Sequence, residues 1–360
     1  MTYGCNCACE YCYEVGVRQG VSGSRMTSDV SEKIYRWLEK YVDLRGTRHL
    51  DLCFHGGEPM LNFAQIKQIG LRVKHMCSKN GINSFSIVTN GTLLTPGRVE
   101  HLVNSGVEFA MITLDGPQPI HDIRRPFLSG QGTFDIVLRH IAQAADKLKI
   151  HLLMNVDKHN CKSAEELADV LVKHGLQDKL YGVCVAFVEP TKPLTEHCRL
   201  YDMPRDELAS YNVSINKVFI ESGFKIRDLI NLGFCTMNSD NSFIFDPRGD
   251  IYKCITGVGD EHFKVGSVND DFNILAIRAS QFVENEPCNH NPDCCECAFL
   301  PMCKGGCRHE SYVRYGNMAT GVCMLDYYSV WVPKIVKEIY TGMDKNAATK
   351  FTDWMSLTAS

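Results

Sequence analysis

The sequence has no apolar run long enough to cross a bilayer, no N-terminal secretory pattern, no internal repeat and no low-complexity segment. The first two absences leave no reason to expect a membrane partner and point to a cytoplasmic protein. Charge of one sign is also scarce. With 38 basic and 42 acidic residues the formal net charge is −4, which offers no general affinity for polyanions, so nucleic acid is not an expected partner. What the 360 residues do hold is cysteine, 18 of them, clustered toward the two ends. In a reducing cytosol such clusters point to metal, not to disulfides.

The first cluster reads Cys5-Asn6-Cys7-Ala8-Cys9-Glu10-Tyr11-Cys12-Tyr13 and contains CxxxCxxC, carried by Cys5, Cys9 and Cys12. Three thiolates on one short loop can hold three irons of a [4Fe–4S] cube, since each iron takes one sulfur ligand, and the fourth iron is then open to a small molecule. Zinc suits the spacing less well, because structural zinc takes four ligands, usually as two separated pairs. A disulfide suits it least. Eight cysteines fall outside any motif (Cys7, Cys53, Cys77, Cys161, Cys184, Cys198, Cys288 and Cys295), and most are expected to be small core hydrophobes.

Between the clusters, strand and helix patterns alternate. Thr27 can cap a helix running to about Leu44, with apolar Ile34, Trp37, Leu38 and Tyr41 on one side. Strands are expected at His49–Phe54, Ser84–Thr89, Glu108–Leu114, Lys149–Val156 and Leu180–Phe187, with helices at Phe63–Asn80, Pro96–Ser105, Thr133–Lys147 and Ser163–His174. That is a parallel α/β layout, barrel-like or doubly wound, in which ligands gather at the C-terminal strand ends. The Cys loop, Gly56-Gly57-Glu58, Asn90 and Asp115 should therefore share one mouth. Residues 194–224 read as a helical bridge. A short hairpin follows, Phe243–Phe245 and Ile251–Cys254, turned at Asp246-Pro247-Arg248-Gly249-Asp250. Beyond it helical periodicity is sparse and cysteine dense, as in a small module stapled by metal.

The C-terminal cysteines have a definite order: Cys235, then Gly249 and Cys254 as GxxxxC, then Cys294, Cys297, Cys303, Cys307 and Cys323. Seven thiols can be divided between two cubanes as four plus three, the second one ligand short, whereas independent zinc-ribbon pairs would suit the spacing less well.

CxxxCxxC, a Gly-Gly-Glu-Pro segment after the next strand and a seven-cysteine C-terminal module together resemble the radical S-adenosylmethionine (SAM) enzymes that carry a SPASM domain. The resemblance covers nearly the whole chain. It implies a partial (β/α)6 TIM-like barrel over 1–195, a helical bridge over 196–230, a SPASM domain over 231–328, and a C-terminal helix and tail over 329–360. It implies three [4Fe–4S] clusters. Cys5, Cys9 and Cys12 would hold the one that binds SAM, Cys235, Cys254 and Cys307 an inner auxiliary cluster, and Cys294, Cys297, Cys303 and Cys323 an outer one. The inner cluster's fourth site would be open or filled by an oxygen ligand such as Asp240. The SAM contacts implied are Tyr11 beside the adenine, Gly56, Gly57 and Glu58 at the amino group, Asn90 at the same mouth, Thr113 and Asp115 facing ribose and methionine, and Arg125 of a HDxxR pattern near the carboxylate.

The activity implied is hydrogen abstraction by a 5′-deoxyadenosyl radical from a peptide or protein, with a flavodoxin- or ferredoxin-like reductant. The leading expectation is a peptide maturase forming a thioether or carbon–carbon crosslink. The runner-up is an anaerobic sulfatase-maturating enzyme making formylglycine from Cys or Ser. Those enzymes carry an acidic residue after the cysteine matching Cys254, where this chain has Ile255, and tend to have an eighth auxiliary cysteine. Other readings are a small-molecule radical SAM oxidoreductase and, in another class, a non-catalytic electron-transfer protein, for which neither Gly-Gly-Glu-Pro nor an open cluster loop is needed. Asp157, Glu189, Tyr252 and Asp260 are candidate proton or hydrogen donors without a distinguishing spacing. The family also places a strand ahead of CxxxCxxC. Only Met1-Thr2-Tyr3-Gly4 precede Cys5, so that strand is expected to be missing from this sequence or to lie upstream of it, leaving a sheet edge exposed.

Overall fold

A computed structural model describes residues 1–14, 25–47, 49–78, 82–188, 203–227, 235–284, 288 and 291–342. Glu189 and Cys198 lie outside these residues, as does the side chain of Cys77.

Thr27 stands in extended backbone, accepts a bond from Val30 N (3.3 Å) and starts helix α1 (Ser28–Arg45), which Gly46 ends in a left-handed turn (φ 60°). The buried stripe of α1 includes Ile34, Trp37, Leu38 and Tyr41, as the period of its apolar residues requires. Five strands then form one parallel sheet in sequence order: β1 (His49–Phe54), β2 (Ile82–Thr89), β3 (Val107–Thr113), β4 (Lys149–Val156) and β5 (Gly182–Phe187). The crossovers are α2 (Phe63–Ser78), α3 (Pro96–Asn104), α4 (Gln118–Arg124) with α5 (Phe134–Ala144), and α6 (Ala164–Lys173). Helix α4 falls in a stretch read from the sequence as loop. Its seven residues are too few to show a period.

Residues alternate along the strands. Ala110, Ile112, Ile150, Leu152, Met154 and Val156 are fully buried and join Ile66, Ile141 and Leu167 of the helices in the main core. The residues between them, Phe109, Met111, His151, Leu153 and Asn155, are half-buried. The opposite face of the sheet is thus the open side of a partial barrel.

Two edges depart from the expected six-strand arrangement. Beyond β5 a sixth position begins at Lys225–Arg227: Val183 N donates to Lys225 O (2.8 Å) and Arg227 N to Val183 O (3.0 Å). Beside the end of β1, residues 1–4 run along the turn at 55–58. The Met1 amino group donates to His55 O (2.8 Å), Gly57 N to Thr2 O and Glu58 N to Gly4 O (both 2.9 Å). Lower down, β1 has β2 as its sheet neighbour and exposes His49, Asp51 and Cys53. Cys53 is therefore an edge-strand thiol and not a core residue. Cys295 is exposed and Cys288 half-exposed, whereas Cys7, Cys161 and Cys184 are buried.

After α7 (Arg205–Glu221), β6 (Ile244–Phe245) and β7 (Asp250–Tyr252) make the expected hairpin, and β8 (Lys264–Ser267) adds a third antiparallel strand. The Asp246 carboxylate closes the turn by accepting from Arg248 N and Asp250 N (2.8 Å each). The C-terminal part is more helical than its sequence suggests, with α8 (Phe272–Glu284), α9 (Pro292–Cys295), α10 (Leu300–Cys303), α11 (Arg308–Tyr315) and α12 (Leu325–Gly342). Three of these span eight residues or fewer. The longest, α12, contains Pro333 and buries Trp331 and Ile335 on α7 against Ala209 and Val213, a partner that local periodicity cannot reveal.

The two halves share a packed seam. Trp37 of α1 meets Phe243 and Phe245 edge-on, with centroids at 5.0 and 5.1 Å, and stacks on Phe272 at 5.0 Å. Beside it the Tyr3 hydroxyl donates to buried Asp246 (2.6 Å).

Candidate active site

The cysteine loop lies across the C-terminal strand ends. Ala8 N donates to Pro126 O (2.8 Å) and Leu128 N to Asn6 O (2.9 Å), which ties it to the segment after α4. Cys9 is buried, while Cys5 and Cys12 are half-exposed. Cys7 is packed inward: the Asn90 amide donates to its sulfur at 3.3 Å, to Cys5 at 3.7 Å and to Asn6 Oδ1 at 2.8 Å.

Cys5, Cys9 and Cys12 put three thiols on one loop at the mouth, a donor set that a cubane would use with one iron to each sulfur. A tetrahedral zinc, with Zn–S of about 2.3 Å, would draw its sulfurs together, whereas a cubane binds each cysteine through its own iron.

The Gly56-Gly57-Glu58 turn is fixed by backbone contacts. A Cβ on Gly57 would stand 2.4 Å from Gly4 O and 2.7 Å from Tyr3 O, and one on Gly56 would stand 2.5 Å from Thr2 O. The N–H groups of 56, 57 and 58 donate to His55 Nδ1, Thr2 O and Gly4 O. For an ammonium ligand the segment therefore offers carbonyl oxygens. The Glu58 side chain plays a different part from the contact role implied above. It is wholly buried and accepts from Met60 N (3.0 Å), Thr89 Oγ1 (2.7 Å) and Asn90 N (2.7 Å), pinning the turn to the end of β2.

Burial pushes the Glu58 carboxyl up to about 7 against the pull of its three donors. A carboxyl raised on folding keeps its proton in the native state, so its contribution to stability falls as pH rises from about 4.5 to about 7. We expect Glu58→Gln to lose stability at low pH and to abolish this part of the pH slope. Chemical denaturation of both proteins across that window checks it. Parallel stability–pH curves would refute it.

A dense polar network joins the cysteine loop to the C-terminal ends of β3 and β4 and to the end of α4. Tyr11 OH donates to Asp115 (2.5 Å), and the Arg125 guanidinium and the Asn155 amide (3.2 Å) donate to the Tyr11 oxygen. Asp115, fully buried, also accepts from Asn155 N (3.0 Å) and has Arg124 Nε at 3.5 Å. Arg124 continues to buried Asp157 (2.6 Å), and its guanidinium lies 4.8 Å from the Tyr11 ring centroid. Burial lifts the Tyr11 phenol well above its ordinary range, so it stays a neutral donor. Thr113 is buried at the end of β3. Tyr11, Asp115 and Arg125 thus converge at the mouth. Arg124, Asn155 and Asn160, whose amide donates to Asp115 O (2.7 Å), were not singled out from the sequence. Two adjacent arginines closing α4 were the available signal.

Asp157 is an ion-pair partner of Arg124 and not a free donor. Asp260 caps a turn and pairs with His262 (2.8 Å), and burial raises the Tyr252 phenol to about 12. Beside the cluster loop, Tyr13 OH meets His55 Nε2 (3.3 Å) and Glu14 lies 3.8 Å from His55 Nδ1. Burial lowers His55 to about 4, so the ring is neutral near pH 7. Of the auxiliary cysteines, Cys235 precedes a short turn (Thr236–Asn238), Cys254 follows β7, and Cys307 caps α11 by accepting from Glu310 N (3.5 Å). Cys294 lies in α9, Cys297 just beyond it and Cys303 in α10, each half-exposed, and Cys323 is exposed. Asp240 is exposed. No helix among the described residues is long and apolar enough to cross a membrane.

Comparison with known proteins agrees with this geometry. Residues 1–171 match the model of the Radical SAM superfamily. The serine-type anaerobic sulfatase-maturating enzyme of Klebsiella aerogenes is 22% identical over 84% of this chain and 76% of its own length. The cysteine-type enzyme of Clostridium novyi is 24% identical over 87% of each. Native anSMEcpe, solved with bound AdoMet and the Kp18Cys peptide, superposes with a TM-score of 0.74 over 93% of this chain and 96% of that one at 19% identity, a likeness of fold. The cysteine loop, the glycine turn and the Tyr11–Asp115–Arg125 network all lie within the segment that matches the Radical SAM superfamily, so residues 1–171 carry a radical SAM domain.

Proposed function

We propose that the protein oxidises a Cys or Ser side chain of a protein substrate to formylglycine; the relatives it resembles are named serine-type and cysteine-type anaerobic sulfatase-maturating enzymes. The observation that carries this reading is end-to-end similarity: both relatives and the solved fold align across the barrel and the cysteine-rich C-terminal part together. It displaces the crosslinking maturase as the leading reading, although Ile255, without a carboxylate, still stands after Cys254.

In this reading Cys5, Cys9 and Cys12 hold the SAM cluster. The carbonyls of the Gly56–Gly57 turn receive the SAM ammonium, Arg125 its carboxylate and Tyr11 its adenine, with Asn90, Thr113 and Asp115 lining the same mouth. The inner and outer auxiliary clusters take the cysteine sets given above. When bound, these groups supply a 5′-deoxyadenosyl radical that removes one hydrogen atom from the substrate Cβ, and an acceptor for the second electron. The chain itself keeps the Tyr11 phenol neutral, holds Arg125 beside the cluster loop and presents a half-buried floor of Met111, His151 and Leu153 to the substrate.

The test is an anaerobic reaction of reconstituted enzyme, SAM and reductant with Cys- and Ser-containing sulfatase peptides, read by mass spectrometry. A product that reacts with a hydrazide, formed with 5′-deoxyadenosine, supports the reading. A product that has lost two hydrogens but is inert to hydrazide would restore the crosslinking maturase. 5′-Deoxyadenosine without any peptide product would reject both.

A further inference from the structure

Two of the three cysteines assigned to the inner auxiliary site have a buried cation beside them in sequence. Lys253 precedes Cys254 and is fully buried; Arg308 follows Cys307 and is 3% exposed. Lysine and arginine are almost never found so deep without a partner. Both reach into the short segment that follows the third cysteine, Cys235. Lys253 Nζ donates to Ser239 O and to Ser242 O (2.7 Å), and the Lys253 carbonyl accepts from Thr236 Oγ1 (2.8 Å). Arg308 donates to Asn238 Oδ1 and to Phe282 O. Among the described residues Lys253 is bound by carbonyl dipoles and has no carboxylate within ion-pair distance. Lys253 lies near enough to Asp240 and Cys235 for both to favour its charged form, and near enough to Arg308 for the two cations to repel, while thiolate-ligated iron–sulfur clusters carry negative charge.

We propose that Lys253 and Arg308 form a cationic clamp that brings the Cys235, Cys254 and Cys307 segments together and serves as the counter-charge of the inner auxiliary cluster. They are positioning residues: neither is assigned to iron, to SAM or to substrate. The clamp rests on the inner-cluster reading. It makes three chain segments that are far apart in sequence into one site, and its charge holds the cluster potential up, because an added electron is stabilised by a nearby cation.

The test measures iron content and EPR-monitored redox titrations of the reconstituted full chain, using Lys253→Met, Arg308→Met and the charge-keeping Lys253→Arg. Wild type should bind about twelve irons, four for each of three cubanes. Either methionine variant should drop to about eight irons, or keep them with only the inner cluster shifted to lower potential. Lys253→Arg should restore the wild-type potential. Unchanged iron and potentials in both methionine variants would overturn the clamp while leaving the cluster assignment standing. If Cys254→Ser fails to lower wild-type iron, the cluster assignment is wrong and the clamp falls with it. Should the variants not fold, acylation of Lys253 by an N-hydroxysuccinimide ester decides the matter on wild type. The ammonium should be protected in the iron-loaded chain and become reactive once iron is chelated; equal reactivity in both forms overturns the proposal.

Discussion

Replacing Asp115 by alanine is expected to destabilise the chain by about 3–5 kcal/mol, the cost of leaving a buried guanidinium without one of its partners, and to abolish SAM binding. The carboxylate is fully buried and accepts from Tyr11 OH and Asn155 N, with Arg124 at 3.5 Å and Arg125 at 4.0 Å. Without it the two guanidiniums face each other across Tyr11 with Asp157 as the remaining carboxylate, on the far side of Arg124. Tyr11 then loses the acceptor that orients its ring, and the loop carrying Cys9 and Cys12 loses its tie to β3. Asp115→Asn keeps the shape and an oxygen acceptor, so its cost should be nearer 1–3 kcal/mol, roughly that of a poorly satisfied buried hydrogen bond. Denaturation curves with SAM calorimetry on both variants check the pair. A loss below about 1 kcal/mol for Asp115→Ala would show that the network is not coupled in this way.

How this network could be read from the sequence shows what local pattern does and does not carry. The strand ends were legible because apolar runs stop at polar punctuation: β1 and β4 have the bounds that their sequences suggest, β2 and β5 differ by two residues at their starts, and β3 is shifted by one. Once the strands are parallel, Asn90 and Asp115 fall at one mouth by topology alone. Their partners do not follow in the same way. Arg124 joins Asp115 to Asp157 only because α4 returns its last turn over β4, and no spacing announces that return. Glu58 shows the converse: its motif singles it out, but its three donors come from Met60 and from the end of β2, so its carboxylate holds the turn. The short C-terminal helices, and the packing though not the existence of the C-terminal helix expected over 329–360, were hidden for another reason. α12 buries its aromatic face on α7, more than a hundred residues earlier in the chain, and α9 and α10 have four residues each. Short helices around cysteines are shaped by what the thiols bind more than by an apolar stripe.

The clearest separation of motif from mechanism should come from Gly57. Alanine there is expected to weaken SAM binding at least about tenfold, or roughly 1.4 kcal/mol, with little effect on the sheet below. The added carbon would meet Gly4 O at 2.4 Å and Tyr3 O at 2.7 Å, backbone atoms that cannot rotate away. Overpacking of this kind costs about 1–3 kcal/mol, and the cheapest relief is to lift residues 2–4 off the turn. That breaks the bonds from Gly57 N and Glu58 N to Thr2 O and Gly4 O, and it loosens Tyr3 from Asp246. Cys5 follows directly, so the thiol proposed as the first cluster ligand moves with the displaced segment. Gly46→Ala is the control. Nothing lies within 4 Å of its added carbon, and only the left-handed backbone is strained, at about 1–2 kcal/mol, far from the mouth. Hydrogen–deuterium exchange of residues 1–5 together with SAM calorimetry distinguishes the two variants. Faster exchange at the N-terminal segment and lost SAM affinity in Gly57→Ala alone would show that this glycine keeps the cysteine loop in place by letting two backbones touch. Wild-type SAM affinity in Gly57→Ala would mean that the turn can yield without moving the loop, and that the close approach seen here is not what the motif requires.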